Sequence, residues 1–292
     1  MRHLIAVSIL LSALPAASAL AQVPANPEWA RIATILGTTA ADGGGYVRYN
    51  VPRADLDVHV GTVAISAPFA LTSWAGFSGT PDSATVMGDL VVTEAEIQPV
   101  LAELDKRQID VMAVHNHLTG ELPHVMYVHF HAYGSATDIA RRLEAVLKLT
   151  GAPRPVAAAH PSPLVIDSGA VFQALGKHGR ANGSFAQVSY ILVPGAVTMH
   201  GHTVVPSLGY GSPVNIVQVS PARAVSTGDF AVTAGQLPRL LHALAQGGIT
   251  ATAVHSHMVG EQPALYFVHF WGDAPLPELL KSLRAAVDAV QP

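Results

Sequence analysis

The chain has 292 residues, half of them apolar and only 12% charged, with a formal net charge of −4 and no cysteine. A weakly acidic chain without a basic block excludes a nucleic-acid surface. The missing thiol excludes disulfides, thiolate metal ligands, a cysteine nucleophile and lipid attachment through cysteine.

Residues 1–21 read as a secretory signal. Arg2 and His3 precede an apolar run from Leu4 to Leu14, and Ala17-Ser18-Ala19 or Ala19-Leu20-Ala21 offers a small-residue cleavage site. The run is too short to span a bilayer, and no other segment reaches about 18 uninterrupted apolar residues. The expectation is an exported protein, periplasmic or secreted, with no membrane anchor. Beyond the signal a first repeat is expected over 22–150. A Pro/Ala-rich linker follows over 151–163, containing Gly151-Ala152-Pro153-Arg154-Pro155 and Pro161-Ser162-Pro163, and a second repeat fills 164–292.

The two repeats share one order of elements. Ile35-Leu36-Gly37 is echoed by Ala174-Leu175-Gly176, and Gly43-Gly44-Gly45-Tyr46 by Asn182-Gly183-Ser184-Phe185. Residues 46–51, 58–65, 85–92 and their counterparts predict strands, whereas Trp74, Phe77 and Tyr210 fall in Gly/Ser-rich stretches that read as turns. Thr93 with Glu96 is a capping box opening a helix over 94–106; Thr233 with Gln236 repeats it for 234–246, which Gly247-Gly248 closes. Runs at 109–117 and 125–131, and again at 249–257 and 265–271, predict two strands around a turn. Amphipathic helices follow at 136–149 and 276–289. The fold class is α+β: two tandem homologous repeats, each a mostly antiparallel sheet with packed helices and a His-bearing β-hairpin.

One block is nearly spelled twice. His115-Asn116-His117-Leu118-Thr119-Gly120-Glu121-Leu122-Pro123 returns as His255-Ser256-His257-Met258-Val259-Gly260-Glu261-Gln262-Pro263, and Val-His-Phe follows at 128–130 and 268–270. Over 94–112 only Leu101, Leu104 and Ile109 match their partners, three positions of nineteen; over 113–130 ten of eighteen match. A helix needing only an apolar stripe drifts freely, so something beyond packing restrains the histidine block. Alternate residues of a strand share a face. His115 and His117 therefore point one way, as do His129 and His131 on the returning strand, and a turn near Pro123 sets His117 beside His129 and His115 beside His131. The second hairpin collects His255, His257 and His269, with Trp271 in the fourth place. Three imidazoles with one open position describe an exchangeable or catalytic metal. Glu121 and Glu261, in the turns, are candidate bases. Asp89 and Asp229, each after a glycine, either orient an imidazole or mark a bulge. His59, His200 and His202 read as surface or cross-strand residues. There is no Gly-x-Ser-x-Gly elbow and no phosphate-binding glycine loop.

The doubled stretch Gly88-Asp89-Leu90-Val91-Val92-Thr93-Glu94 with His115-Asn116-His117, and Gly228-Asp229-Phe230-Ala231-Val232-Thr233 with His255-Ser256-His257 and Val268-His269-Phe270-Trp271, resembles the LppY/LpqO family of bacterial envelope proteins. The resemblance implies export and a two-repeat architecture but no established activity or ligand set. The expected function is a duplicated HxH…E…H metal site for zinc, with copper as the alternative; if the protein is an enzyme, it is expected to be a metal-dependent hydrolase in which metal-activated water attacks an ester, amide or lactam of a small-molecule substrate, with Glu261 or Glu121 as base. Imidazole-only ligation does not choose between these ions. The contrasting expectation is a non-catalytic envelope module that binds glycan, peptidoglycan or a protein partner, its histidines structural.

Overall fold

A computed structural model of the protein describes residues 26–156 and 164–292. The expected signal at 1–21 and the linker segment 157–163 lie outside them. In the first repeat the elements are α1 (Pro27–Leu36), β1 (Ala40–Asp42), β2 (Val47–Pro52), β3 (His59–Val60), β4 (Val63–Ala64), β5 (Thr72–Thr80), β6 (Ser83–Thr93), α2 (Glu94–Lys106), β7 (Asp110–His115), β8 (Glu121–Leu122), β9 (Val125–Gly134) and α3 (Ala136–Leu147). The second repeat runs through α4 (Ser168–Leu175), β10 (Arg180–Asn182), β11 (Phe185–Tyr190), β12 (Thr198–Met199), β13 (His202–Thr203), α5 (Pro206–Gly209), β14 (Ser212–Ser220) and β15 (Arg223–Thr233). It closes with α6 (Leu237–Gln246), β16 (Thr250–His255), β17 (Leu265–Ala274) and α7 (Leu276–Val290).

Each repeat builds one six-stranded antiparallel sheet, and the two orders match: β1-β2-β5-β6-β9-β7 and β10-β11-β14-β15-β17-β16. The α+β class with two similar halves is as the sequence predicts. β9 lies between β6 and β7, so β6-α2-β7 is a split crossover with the return strand inserted.

Side-chain alternation assigns the two faces of each sheet. Leu90 and Val92 of β6, with Val128, Phe130 and Ala132 of β9, pack under α1, α2 and α3 in one core. Phe230, Val232, Val268 and Phe270 do the same under α4, α6 and α7. The other faces meet each other. Tyr46 and Met87 of the first repeat share a cluster with Val193, Met199, Leu208 and Phe267 of the second, and Phe69, Val91 and Tyr127 share one with Phe185 and Val225. The layers therefore run helices, sheet, sheet, helices. β6 is buried along nearly its whole length because both of its faces are covered.

Four expectations change. The strand expected over 58–65 is two short strands, β3 and β4, paired around a turn. Trp74 and Phe77 lie in strand β5, not in a turn. Its glycines mimic a turn, but Gly76 is small because a Cβ there would run into Leu208 and the Tyr46 ring. The second capping-box pair bonds as expected, Thr233 N donating to Gln236 Oε1 at 2.9 Å, yet α6 starts only at Leu237. The runs expected over 109–117 and 249–257 stop at His115 and His255. In the first of them Asn116 Nδ2 donates to the Leu118 carbonyl at 2.8 Å, closing the turn that ends the strand.

The capping glutamate of the first repeat has a second task. Arg53, 1% exposed, donates to the Val91 carbonyl and to Glu96 Oε2, each at 2.7 Å, and to Asp55. Burial alone would raise the Glu96 carboxyl. Hydrogen bonds from Thr93 N, Arg53 and Gly151 N outweigh it and hold the group below the usual glutamate range. In the second repeat neutral Gln236 uses the same place to donate to the carbonyls of Leu192 and Val290.

Arg53→Met strands the Glu96 charge and is expected to cost about 3 kcal/mol in urea unfolding. A folded-state pKa below the unfolded value means that the stabilisation is full above about pH 4.3 and is lost as pH falls through the folded value. Acidification should therefore destabilise the wild type more than Glu96→Gln; equal losses would show that the carboxylate carries no such linkage.

Candidate metal centre

The sheet register places the polar residues between the two layers. Asp89 of β6 lies opposite His129 of β9, and Asp229 of β15 lies opposite His269 of β17. All four side chains sit on faces that meet between the sheets. The glycine before each aspartate is a packing requirement. A Cβ on Gly88 would strike the Phe130 ring and the Trp74 carbonyl, and one on Gly228 would strike the Pro213 carbonyl.

The edge strands then bring the hairpins of the two repeats together. β7 pairs with β9 so that His115 faces Tyr127 and Ala113 faces His129, with a bulge between Val111 and Ala113. This is a four-residue slip from the expected register, and an even slip preserves the face. β16 repeats it, His255 facing Phe267. β7 and β16 approach across the repeat boundary. There Thr252 Oγ1 donates to the His117 carbonyl at 2.6 Å and Asn116 Nδ2 donates to the Thr252 carbonyl at 3.1 Å.

The outcome is one histidine centre, where the sequence predicted a separate site on each hairpin. The rings of His115 and His255 stack at 3.7 Å between centroids and those of His117 and His269 at 3.7 Å, while those of His129 and His257 lie tilted at 3.8 Å. The repeat offset of 140 exchanges the second pair with the third and returns the first to itself, so the centre straddles a pseudo-twofold axis. Tyr127 covers His117 at 3.7 Å and Phe267 covers His257 at 3.5 Å. His115, His129 and His269 are buried, while His117, His255 and His257 are half-buried.

Hydrogen bonding fixes which nitrogen is free. Nδ1 of His115 donates to the Asn116 carbonyl at 3.1 Å, that of His255 to Ser256 at 3.2 Å and that of His269 to Gly228 at 3.1 Å. Carbonyls only accept, so these rings carry the proton on Nδ1 and a lone pair on Nε2. Among the described residues, Nε2 of all six histidines is buried without a hydrogen-bond partner, as is one carboxylate oxygen of Asp89. The Asp89 carboxylate lies 3.4 Å from His117 Nε2 and 3.7 Å from His129 Nε2, and that of Asp229 lies 2.9 Å from His269 Nδ1.

Burial, helped by the neighbouring imidazoles, pushes His115 down to about 2. It pushes His255 down to about 3, with His269 adding in the same direction. The same causes hold His117, His129 and His257 well below the ordinary histidine range. Burial, and then Asp229 nearby, holds the Asp89 carboxyl well above its own. Neutral imidazoles with converging lone pairs are the form that binds a metal. In each of two sets the donor atoms lie within 4.8 Å of one another: His115, His255, His257 and His269 in one, and Asp89, His115 and His129 in the other.

The remaining candidates lie elsewhere. His131 is buried but sits against Tyr133, its ring centroid 4.8 Å away, and joins neither donor set. Burial, with His200 adding, pushes it down to about 4. Trp271, its counterpart, packs on Phe69 at 6.1 Å. Glu121 and Glu261 are buried, but they too lie outside both donor sets and serve the turns. Leu265 N donates to Glu261 at 2.9 Å, Val125 N to Glu121 at 3.5 Å, and His124 Nδ1 lies 2.7 Å from Glu121. His200 and His202 are exposed around a turn, and His59 pairs with Leu122. The two aspartates are the donors that residue spelling alone undervalued; their signal was a Gly-Asp pair kept at the same offset as the histidines.

The fold and the centre define a duplicated α+β protein whose repeats share one buried histidine–aspartate cluster. The chain belongs to the family described as Domain of Unknown Function (DUF1259), whose pattern matches twice, at residues 30–149 and 169–289. No curated protein and no solved structure matches it.

Gly88→Ala is expected to cost about 1–3 kcal/mol, because the added methyl has no space between Phe130 and Trp74. Urea unfolding checks this; an unchanged midpoint would show that the strand spacing there is not tight.

Proposed function

We propose that the protein is an exported envelope protein of the LppY/LpqO type whose two repeats together bind divalent transition metal, zinc first and copper second. One observation carries the reading: six buried Nε2 atoms lack a hydrogen-bond partner among the described residues, and five of these imidazoles form two compact donor sets with Asp89. Burying such groups without compensation costs about 1–3 kcal/mol each, and bound metal compensates those it takes as ligands. Imidazole and carboxylate donors without sulfur suit these ions. His255, His257 and His269 with His115, and Asp89 with His129 and His117, are the residues that would hold metal.

We further propose hydrolysis of an ester, amide or lactam as the activity. Bound zinc supplies Lewis acidity and a water of lowered pKa. The chain's own contribution is positional. Nδ1 bonds to carbonyls aim the rings of His115, His255 and His269. Glu121 and Glu261, bound to the amides that start β9 and β17, keep the turns in place. Among the described residues no helix is long and apolar enough to cross a membrane, which fits a protein without a helical anchor.

Chelator-stripped protein purified without a His-tag is expected to regain stability with zinc or copper. At free metal about 1,000 times Kd the gain is about 4 kcal/mol, a rise in Tm on the order of 10 °C. His257→Ala with His269→Ala should abolish the rise while circular dichroism stays native. No shift with either metal in the wild type would return the histidines to a structural role and leave an envelope module that binds glycan or a protein partner.

A further inference from the structure

The centre holds more donors than one ion accepts. Donors to a single ion at about 2.0–2.2 Å lie no more than about 4.4 Å from each other. The four-histidine set, His115, His255, His257 and His269, and the set of Asp89, His115 and His129 are each compact to within 4.8 Å, but they overlap only at His115. Its Nδ1 is committed to the Asn116 carbonyl, so His115 offers one nitrogen to one ion. Granting it to either side leaves a second group intact. On one side stand His255, His257 and His269; on the other stand Asp89 and His129, with His117 Nε2 3.4 Å from the Asp89 carboxylate.

The duplication points the same way. The offset of 140 carries Asp89, His115, His117 and His129 onto Asp229, His255, His257 and His269, so each repeat brings the same donors to the axis. An ion held by the second repeat's histidines would leave Asp89, His117 and His129 buried and uncompensated, and these retain unpartnered atoms among the described residues. A cation beside them satisfies all three.

We propose that the centre is dinuclear: each repeat holds one divalent ion, the two lie side by side across the pseudo-twofold axis, and His115 stands between them. This rests on the metal-binding reading above and adds its stoichiometry and geometry. Adjacent ions of this kind clamp both the attacking and the leaving oxygen of a displacement, which a single ion does not.

The test uses the full mature chain stripped by chelator. Titration with zinc is expected to saturate at two equivalents per chain. Two equivalents of copper(II) should give an electron paramagnetic resonance spectrum broadened by coupling, with a half-field signal. The double variant Asp89→Asn with His129→Ala should drop to one equivalent and show an uncoupled mononuclear copper spectrum. Saturation of the wild type at one equivalent would overturn the proposal, as would two uncoupled copper spectra. No uptake at all would overturn the metal-binding reading and this one with it. Should the variant fail to fold, the wild-type stoichiometry and coupling decide alone.

Discussion

Two sheets can press their faces together only if what lies between them is apolar or mutually satisfied. Most of this interface is apolar, held by clusters that draw on both repeats. At one place it is not: six imidazoles and two carboxylates share a buried volume, with Nε2 of every imidazole lacking a hydrogen-bond partner among the described residues. Polar groups of that kind are costly to leave uncompensated, and the rest of the arrangement reads as the means of holding them there. Carbonyl bonds at Nδ1 orient the rings, Tyr127 and Phe267 cap them, and the glycines before the aspartates let the strands pack closely.

The pseudo-twofold axis explains why the histidine block has drifted less than its neighbouring helix. Each hairpin faces its own counterpart, so a change in one copy is felt by the other. His115 against His255 is the plainest case, since those rings stack directly on one another. The helices α2 and α6 pack on separate cores and make no such demand on each other. Their capping residues show this freedom: Glu96 became tied to a buried arginine, while Gln236 serves as a neutral donor to two carbonyls.

Where the expectations departed from the structure, the cause was a contact distant in sequence. Trp74 and Phe77 looked like turn residues because Gly76 and its serine neighbours are small, yet that smallness answers to Leu208 of the other repeat. His131 shares a strand face with His129, but two residues along β9 carry it past the centre to Tyr133. Glu121 and Glu261 sit in turns beside the histidines in sequence, and backbone amides claim them. Asp89 and Asp229 are distant in sequence from the hairpins, and strand pairing brings them to the imidazoles.

The sequence by itself determined the duplication, the α+β order of elements, the period-two faces and the paired histidines of each hairpin. These follow from local rules of backbone periodicity, capping and turn chemistry, together with comparison of one half with the other. The tertiary structure decided that the two sets of histidines form one centre. Strand parity tells which side chains share a face, but not what that face meets. Only the packing of sheet on sheet, and the approach of β7 to β16 through Asn116 and Thr252, sets the two hairpins against each other.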